Sequence, residues 1–207
     1  MLKKKSFFIT FEGIEGSGKS YQSKKLYKFI KKKRSVVLTR EPGGSSSGET
    51  IRNLILSGKK NKFDKTTDAL LYLGARNEHF IKVLKPAILN KQVIICDRFI
   101  DSTLAYQVYG QGVNKELVNF INKNILGNIK PDLTFILTTD IKKAFNRIKK
   151  RKNKNRYDKF SQNYYMKVQS AFLKIASKNK KRYYVLDNSH NNKSAENLII
   201  SKINKYL

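Results

Sequence analysis

Apolar runs rich in β-branched and aromatic residues recur at Phe7–Phe11, Val36–Thr39, Val93–Cys96, Leu133–Leu137 and Tyr183–Leu186, and longer segments of helical period separate them. This alternation predicts a parallel sheet covered by helices on both faces. Leu26, Phe29 and Ile30 share one face of the first helix, while Leu70, Leu71, Leu73 and Ala75 open a long second one in which Pro86 should cause a kink or a split. Leu173, Ile175 and Ala176 mark another helix, and Leu198, Ile199 and Ile203 are expected to anchor the last against the core. Arg40–Gly48, Arg98–Gly112 and the basic stretch Arg147–Tyr157 read as loops. With no repeat and no Pro-rich linker, one domain over residues 1–207 is expected.

Composition changes this picture little. The 44 Lys and Arg against 15 Asp and Glu give a formal net charge of +29, which would attract polyanions at long range. The lysines lie along the whole chain beside many Asn and Ile, so no specific nucleic-acid footprint is expected. A lone Cys96 excludes an intramolecular disulfide framework and suits a reducing, cytoplasmic setting. Phe7–Phe11 is too short for a signal-peptide core and is ended by Glu12, so neither targeting nor membrane insertion is expected.

The strongest chemical signal is Gly13-Ile14-Glu15-Gly16-Ser17-Gly18-Lys19-Ser20, which fits G-x-x-x-x-G-K-[ST] directly after the first predicted strand and before a helix. Backbone N–H groups of such a loop wrap the phosphates of ATP, Lys19 reaches the β and γ oxygens, and the Ser20 hydroxyl can ligate Mg²⁺. Asp97 and Arg98 end the third strand at the carboxyl edge of the sheet, where an arginine can fork onto a monophosphate. Tyr72 and Arg76 are four apart and share a helix face.

Phe11–Ser20, Thr39-Arg40-Glu41-Pro42-Gly43-Gly44, Leu70–Arg76, Asp97–Gln107 and Arg147–Asp158 together resemble the thymidylate kinase family, in order and over nearly the whole chain. The resemblance implies a P-loop nucleotide kinase fold, a five-stranded parallel sheet of order 2-3-1-4-5, a mobile lid at about 147–158, and a homodimer. It also implies phosphorylation of dTMP to dTDP by MgATP, within dTTP biosynthesis. By resemblance Arg98 holds the dTMP phosphate, Asp97 orders Mg²⁺ and its water, and Glu15 points toward the sugar 3′-hydroxyl or the acceptor phosphate. Tyr72 would stack on thymine and Arg76 donate to its O4, with Ser102, Thr103, Tyr106 and Gln107 completing the base and sugar pocket. Thr103 or Gln107 would bond the thymine edge, and Tyr106 would press on the ribose. Some members carry a catalytic arginine inside the phosphate loop. Here that position is Gly16, so the lid must supply it, with Arg156 the first candidate and Arg151 the second.

One contrast and one departure narrow the reading. A deoxynucleoside kinase would commonly show Glu-Arg-Ser after the third strand, and Asp97-Arg98-Phe99 stands there instead. After the fourth strand, Thr138 occupies a position where the family usually has Asp, with Asp140 a possible substitute.

Overall fold

The computed structural model describes residues 5–151, 155–190 and 192–206. Its strands are β1 (Phe7–Glu12), β2 (Val36–Arg40), β3 (Val93–Asp97), β4 (Leu133–Thr138) and β5 (Tyr183–Asp187), all parallel, in the order β2-β3-β1-β4-β5. Each extends one residue past the predicted run, and the order is the expected one. Phe11 and Arg40 both pair with Asp97, so the carboxyl ends of the three strands are level and present one edge to ligand.

Alternate residues of the buried strands feed different cores. Ile9, Phe11, Ile95 and Phe135 meet Leu26 and Ile30 of α1 (Lys19–Lys31) and Ile199 and Ile203 of α9 (Asn192–Asn204). Phe8, Ile94 and Cys96 face the opposite way, against Leu84, Ala87 and Phe99. Leu198, expected to anchor the last helix, is 49% exposed, and Leu70, which opens the long second one, is 45% exposed. Each adjoins a buried residue, Ile199 or Ala69, and successive helix positions lie about 100° apart, so the neighbour takes the core. Leu173 is likewise exposed beside the buried Phe172.

Between β2 and β3 run α2 (Ser46–Leu56), α3 (Lys65–His79), a π-helical turn Phe80–Leu84 and α4 (Lys85–Leu89). Pro86 lies in the first turn of α4, so the expected split takes the form of a widened turn just before the residue that has no N–H to donate. The segment Arg98–Gly112, expected as a loop, is mostly helical: α5 (Ile100–Thr103) runs into π-helical Leu104–Gly110. The wider turn has no 3.6-residue period to read, and such turns recur at functional sites. After α6 (Lys115–Leu126) and β4 come α7 (Ile141–Lys149), a 3₁₀ turn Arg156–Lys159 and α8 (Gln162–Ser177). Of the lid expected at 147–158, residues 147–149 therefore belong to α7, and residues 152–154 lie outside the described residues.

Candidate active site

The phosphate loop closes on itself at the carboxyl edge of β1. Gly13 has φ +134°, and a Cβ there would meet the Leu137 carbonyl oxygen at 2.3 Å, so only glycine lets the chain turn this close to β4. The Lys19 ammonium donates to the Ile14 carbonyl at 2.7 Å, and the Ile14 side chain is core, leaving that residue only its backbone for a ligand. Ser17 is also fully buried. Two residues that sequence reasoning did not assign here brace the loop: Asn188 donates to Ser17 O at 2.7 Å, and Arg147 donates to Gly16 O at 2.9 Å. Arg147 is thereby removed from the expected lid and becomes a strut. Burial and the neighbouring Arg98 push the Lys19 ammonium down to about 7, against the opposing pull of Asp97 and Glu15.

Ser20 donates to Asp97 Oδ2 at 2.5 Å, so the hydroxyl and carboxylate expected near a metal are in contact. Arg98 has φ +73°, a left-handed turn that a non-glycine residue adopts at a cost of about 1 kcal/mol. The turn directs its guanidinium back over the loop, where Nη1 donates to Gly13 O at 2.8 Å and Ser102 Oγ at 3.0 Å, and Nη2 to Glu15 Oε1 at 2.8 Å. Tyr106 donates to the other oxygen of Glu15. Burial would raise the Glu15 carboxyl, but Arg98, Lys19 and Tyr106 outweigh it and hold the group below the usual carboxylate range.

Beneath them lies a carboxylate that sequence reasoning missed. Glu12, fully buried, accepts from Phe99 N at 2.8 Å and Ser102 Oγ at 2.6 Å, so it fixes the turn that carries Arg98. Burial and the nearby Asp101 push its carboxyl well up. An acid closing a buried strand whose only other polar residue is Thr10 was the available signal.

At the far end of the cleft, Arg76 is buried and pairs with Glu41 Oε2 at 2.8 Å, while its other nitrogens donate to Asn122 Oδ1 at 2.8 Å and Thr103 Oγ1 at 2.9 Å. The second oxygen of Glu41 meets His79 Nδ1 at 2.9 Å, and His79 Nε2 meets Thr39 Oγ1 at 2.7 Å. Gln107 is buried and donates to the Tyr157 hydroxyl at 3.1 Å, and Tyr157 packs edge-on against Tyr72 and Tyr106.

One cleft thus gathers Glu15, Lys19, Ser20, Asp97 and Arg98 at one end and Tyr72, Arg76, Thr103 and Gln107 towards the other, with Ser102 and Tyr106 bonded to Arg98 and Glu15 between them and Arg151 also in its lining. Arg156 is not among them. It is buried in a separate cavity beside Phe63 and Phe160, with Nη2 on the Asp68 carboxylate of α3. Of the two lid arginines named from sequence, Arg156 is held outside this cleft by the buried Asp68 carboxylate, while Arg151 lines the cleft together with Lys19. Asp140 does not replace the missing acid after β4: it caps α7, accepting from Lys143 N at 2.9 Å, and Thr138 donates to Leu186 O at 3.3 Å.

The family model described as thymidylate kinase matches residues 11–199. The chain belongs to the thymidylate kinase family. The thymidylate kinase of Wolbachia pipientis wMel is 45% identical over 202 residues, covering 95% of this chain and 99% of that one. The thymidylate kinase of Ehrlichia chaffeensis is 42% identical over 182 residues, covering 86% and 87%. A crystal structure of thymidylate kinase from Ehrlichia chaffeensis superposes with a TM-score of 0.79 at 35% identity, over 97% of this chain and 99% of that one. Among thymidylate kinases this chain therefore sits with relatives that match it almost end to end.

Proposed function

We propose that this chain transfers the γ-phosphoryl group of ATP to the phosphate of dTMP, giving dTDP for dTTP synthesis, and that residues 1–207 form one domain for that task. The observation that carries the site assignment is the meeting of Lys19 and Arg98 across a cleft whose other end holds Tyr72 and Arg76. The first pair suits two phosphate groups in line, and the second suits a flat base with an acceptor oxygen. The acceptor phosphate is already anionic, so no general base is required; holding the groups in line and neutralising their charge supplies the catalysis.

Each side chain then has a task. Lys19 and the loop N–H groups bind the β and γ phosphates, Arg98 the acceptor phosphate. Glu15, whose charge is offset by Arg98 and Lys19, accepts from the sugar hydroxyl, and Tyr106 fills the space a 2′-hydroxyl would need. Tyr72 stacks on thymine, Arg76 donates to O4, and Thr103 or Gln107 bonds the remaining edge. Arg151 supplies the cation for charge that develops on the transferring group, worth about 10³–10⁵ in rate for such arginines. Ser20 and Asp97 fit Mg²⁺, a hard ion that takes a few protein oxygens and completes its shell with water and phosphates. Among the described residues no cluster of three or more His, Cys, Asp or Glu could hold a metal without such help. Held by Ser20 and Asp97, the ion would supply positive charge that offsets the negative charge of the phosphates.

We also propose a homodimer. Exposed Leu54, Leu70, Ile81, Leu117 and Phe120 lie on α2, α3 with its π extension, and α6, and Phe120 is 68% exposed. An apolar surface of this kind suits a symmetric partner. Among the described residues no helix is long and apolar enough to cross a membrane, and the buried reduced Cys96 suits a cytoplasmic enzyme. The deciding assay offers dTMP, thymidine and single-stranded DNA to the protein with MgATP. Turnover with dTMP alone is expected; turnover with thymidine or stimulation by DNA would replace this reading.

A further inference from the structure

The 3₁₀ turn that carries Arg156 out of the cleft also carries Asp158, whose side chain is only 3% exposed. Its two oxygens are used differently. Oδ2 accepts from Asn155 N at 2.8 Å and closes a capping box with the Asn155 side chain, which fixes the turn. Oδ1 has no hydrogen-bond partner among the described residues, yet it faces Arg151 Nη1 at 3.7 Å. A buried carboxylate oxygen without a hydrogen bond is costly and calls for a compensating group. Arg151 is the cation it faces.

The turn is a firm base for such a group. Arg156 grips Asp68 from one side, the Tyr157 hydroxyl donates to Asp68 Oδ2 at 3.1 Å, and the Tyr165 hydroxyl donates to Tyr157 O at 2.9 Å. Arg151 is anchored through its backbone, N–H to Ile148 O at 3.0 Å, while its side chain remains 39% exposed on the rim of the cleft. The side chain therefore has freedom to lose, and a fixed anion nearby restricts it before substrate arrives. The 3.7 Å separation matters in its own right. A direct fork onto Asp158 would occupy the donors that phosphate oxygens need, whereas attraction across a gap orients the guanidinium and leaves its N–H groups available. Arg156 on Asp68 shows the alternative: there the cation is withdrawn from the cleft.

We infer that Asp158 is a positioning residue, whose Oδ1 holds the Arg151 guanidinium in the orientation that meets the transferring phosphoryl group. This rests on Arg151 as the cation of phosphoryl transfer, and the test separates the two. Asp158→Asn can keep an oxygen for the Asn155 N–H while presenting a neutral amide to Arg151. A kinetic cycle of wild type, Arg151→Ala, Asp158→Asn and the double variant is measured at saturating MgATP and dTMP, with thermal unfolding of each. Arg151→Ala is expected to lower kcat by about 10²–10⁴-fold, and Asp158→Asn by about tenfold with KM for either substrate within about threefold. In the Arg151→Ala background, the Asn substitution should cost less than about twofold, since the group it acts through is gone. Asp158→Glu, which keeps the charge, should recover part of kcat, and it serves in the same cycle if the Asn variant fails to fold. Equal losses in both backgrounds, or an undiminished kcat for folded Asp158→Asn, overturn the inference while leaving Arg151 in place. A near-normal kcat for Arg151→Ala overturns the Arg151 assignment and the inference with it.

Discussion

The two ends of the cleft hold their cations in different ways. At the phosphate end Lys19 is buried against the carbonyl of Ile14 and beside Arg98, and its ammonium drops to about 7. At the base end Arg76 lies on Glu41 at 2.8 Å, and in the adjacent cavity Arg156 lies on Asp68, so each has a carboxylate of its own. Arg98 shares the phosphate end with Glu15, but among the described residues Lys19 forms no ion pair and lacks a counter-charge of its own until a polyanion arrives, whereas Arg76 and Arg156 are neutralised beforehand. Substitutions at the phosphate end should therefore change chemistry, and substitutions at the second should change the scaffold or the choice of substrate.

The largest effect should come from Lys19→Ala, which is expected to lower kcat by about 10²–10³-fold or more without lowering the melting temperature. Circular-dichroism melting beside turnover checks both halves, and a large drop in melting temperature with activity retained would erase the contrast. Comparable in size is the effect of base choice. In dCMP an amino group stands where dTMP has the O4 acceptor and would set its own N–H donors against those of the Arg76 guanidinium, so kcat/KM for dCMP should fall on the order of 10³-fold or more below dTMP. The missing methyl of dUMP is worth only about 10–200-fold. Comparable values for dCMP and dTMP would remove Arg76 from base reading.

Arg156→Ala should act through stability. It leaves the Asp68 carboxylate buried without its cation, a loss of about 3–5 kcal/mol in denaturant unfolding, while kcat of the folded protein stays within about tenfold. A loss of kcat of several orders with normal stability would restore Arg156 as the cation of transfer. The smallest effect is a proton. At pH 8 the Lys19 amine of the ligand-free protein is mostly neutral, and bound triphosphate should recharge it, so ATP binding takes up close to one proton at pH 8 and almost none at pH 6. Calorimetry in buffers of different ionisation enthalpy reads this directly, and Lys19→Met should abolish it. The sign for folding follows from the same shift. Between about pH 7 and the unfolded value of 10.5 the unfolded chain binds more protons, so this group makes the ligand-free protein gain stability as pH rises.

The same contrast explains what could be read from the sequence. The phosphate end is written in contiguous stretches at strand ends, residues 13–20 and 97–98, and short apolar runs locate those strands to within one residue. The base end is assembled from distant pieces. That Arg76 answers to Glu41 and Asn122, 35 and 46 residues away, leaves no local trace. Nor can a basic run reveal which arginine reaches the cleft: Arg156 is withdrawn by Asp68, 88 residues earlier, and Arg151 is left on the rim. The helical character of 98–112 was hidden for a different reason, since a π turn follows neither the period of a strand nor that of an α-helix.

Cys96, the only cysteine in the sequence, is fully buried in β3, the strand that ends in Asp97 and delivers Arg98, and its thiol is pushed well above its ordinary range by burial. Thiolate is the reactive form, so alkylation of this sulfur requires the central sheet to open. The molecule thus carries its own clock for global unfolding: a single covalent event, with no competing site, timed by the core strand next to the catalytic edge. Ligands that bind only the folded protein should slow that clock in proportion to their occupancy, which makes labelling of the unmodified chain a direct assay for nucleotide binding in dilute solution.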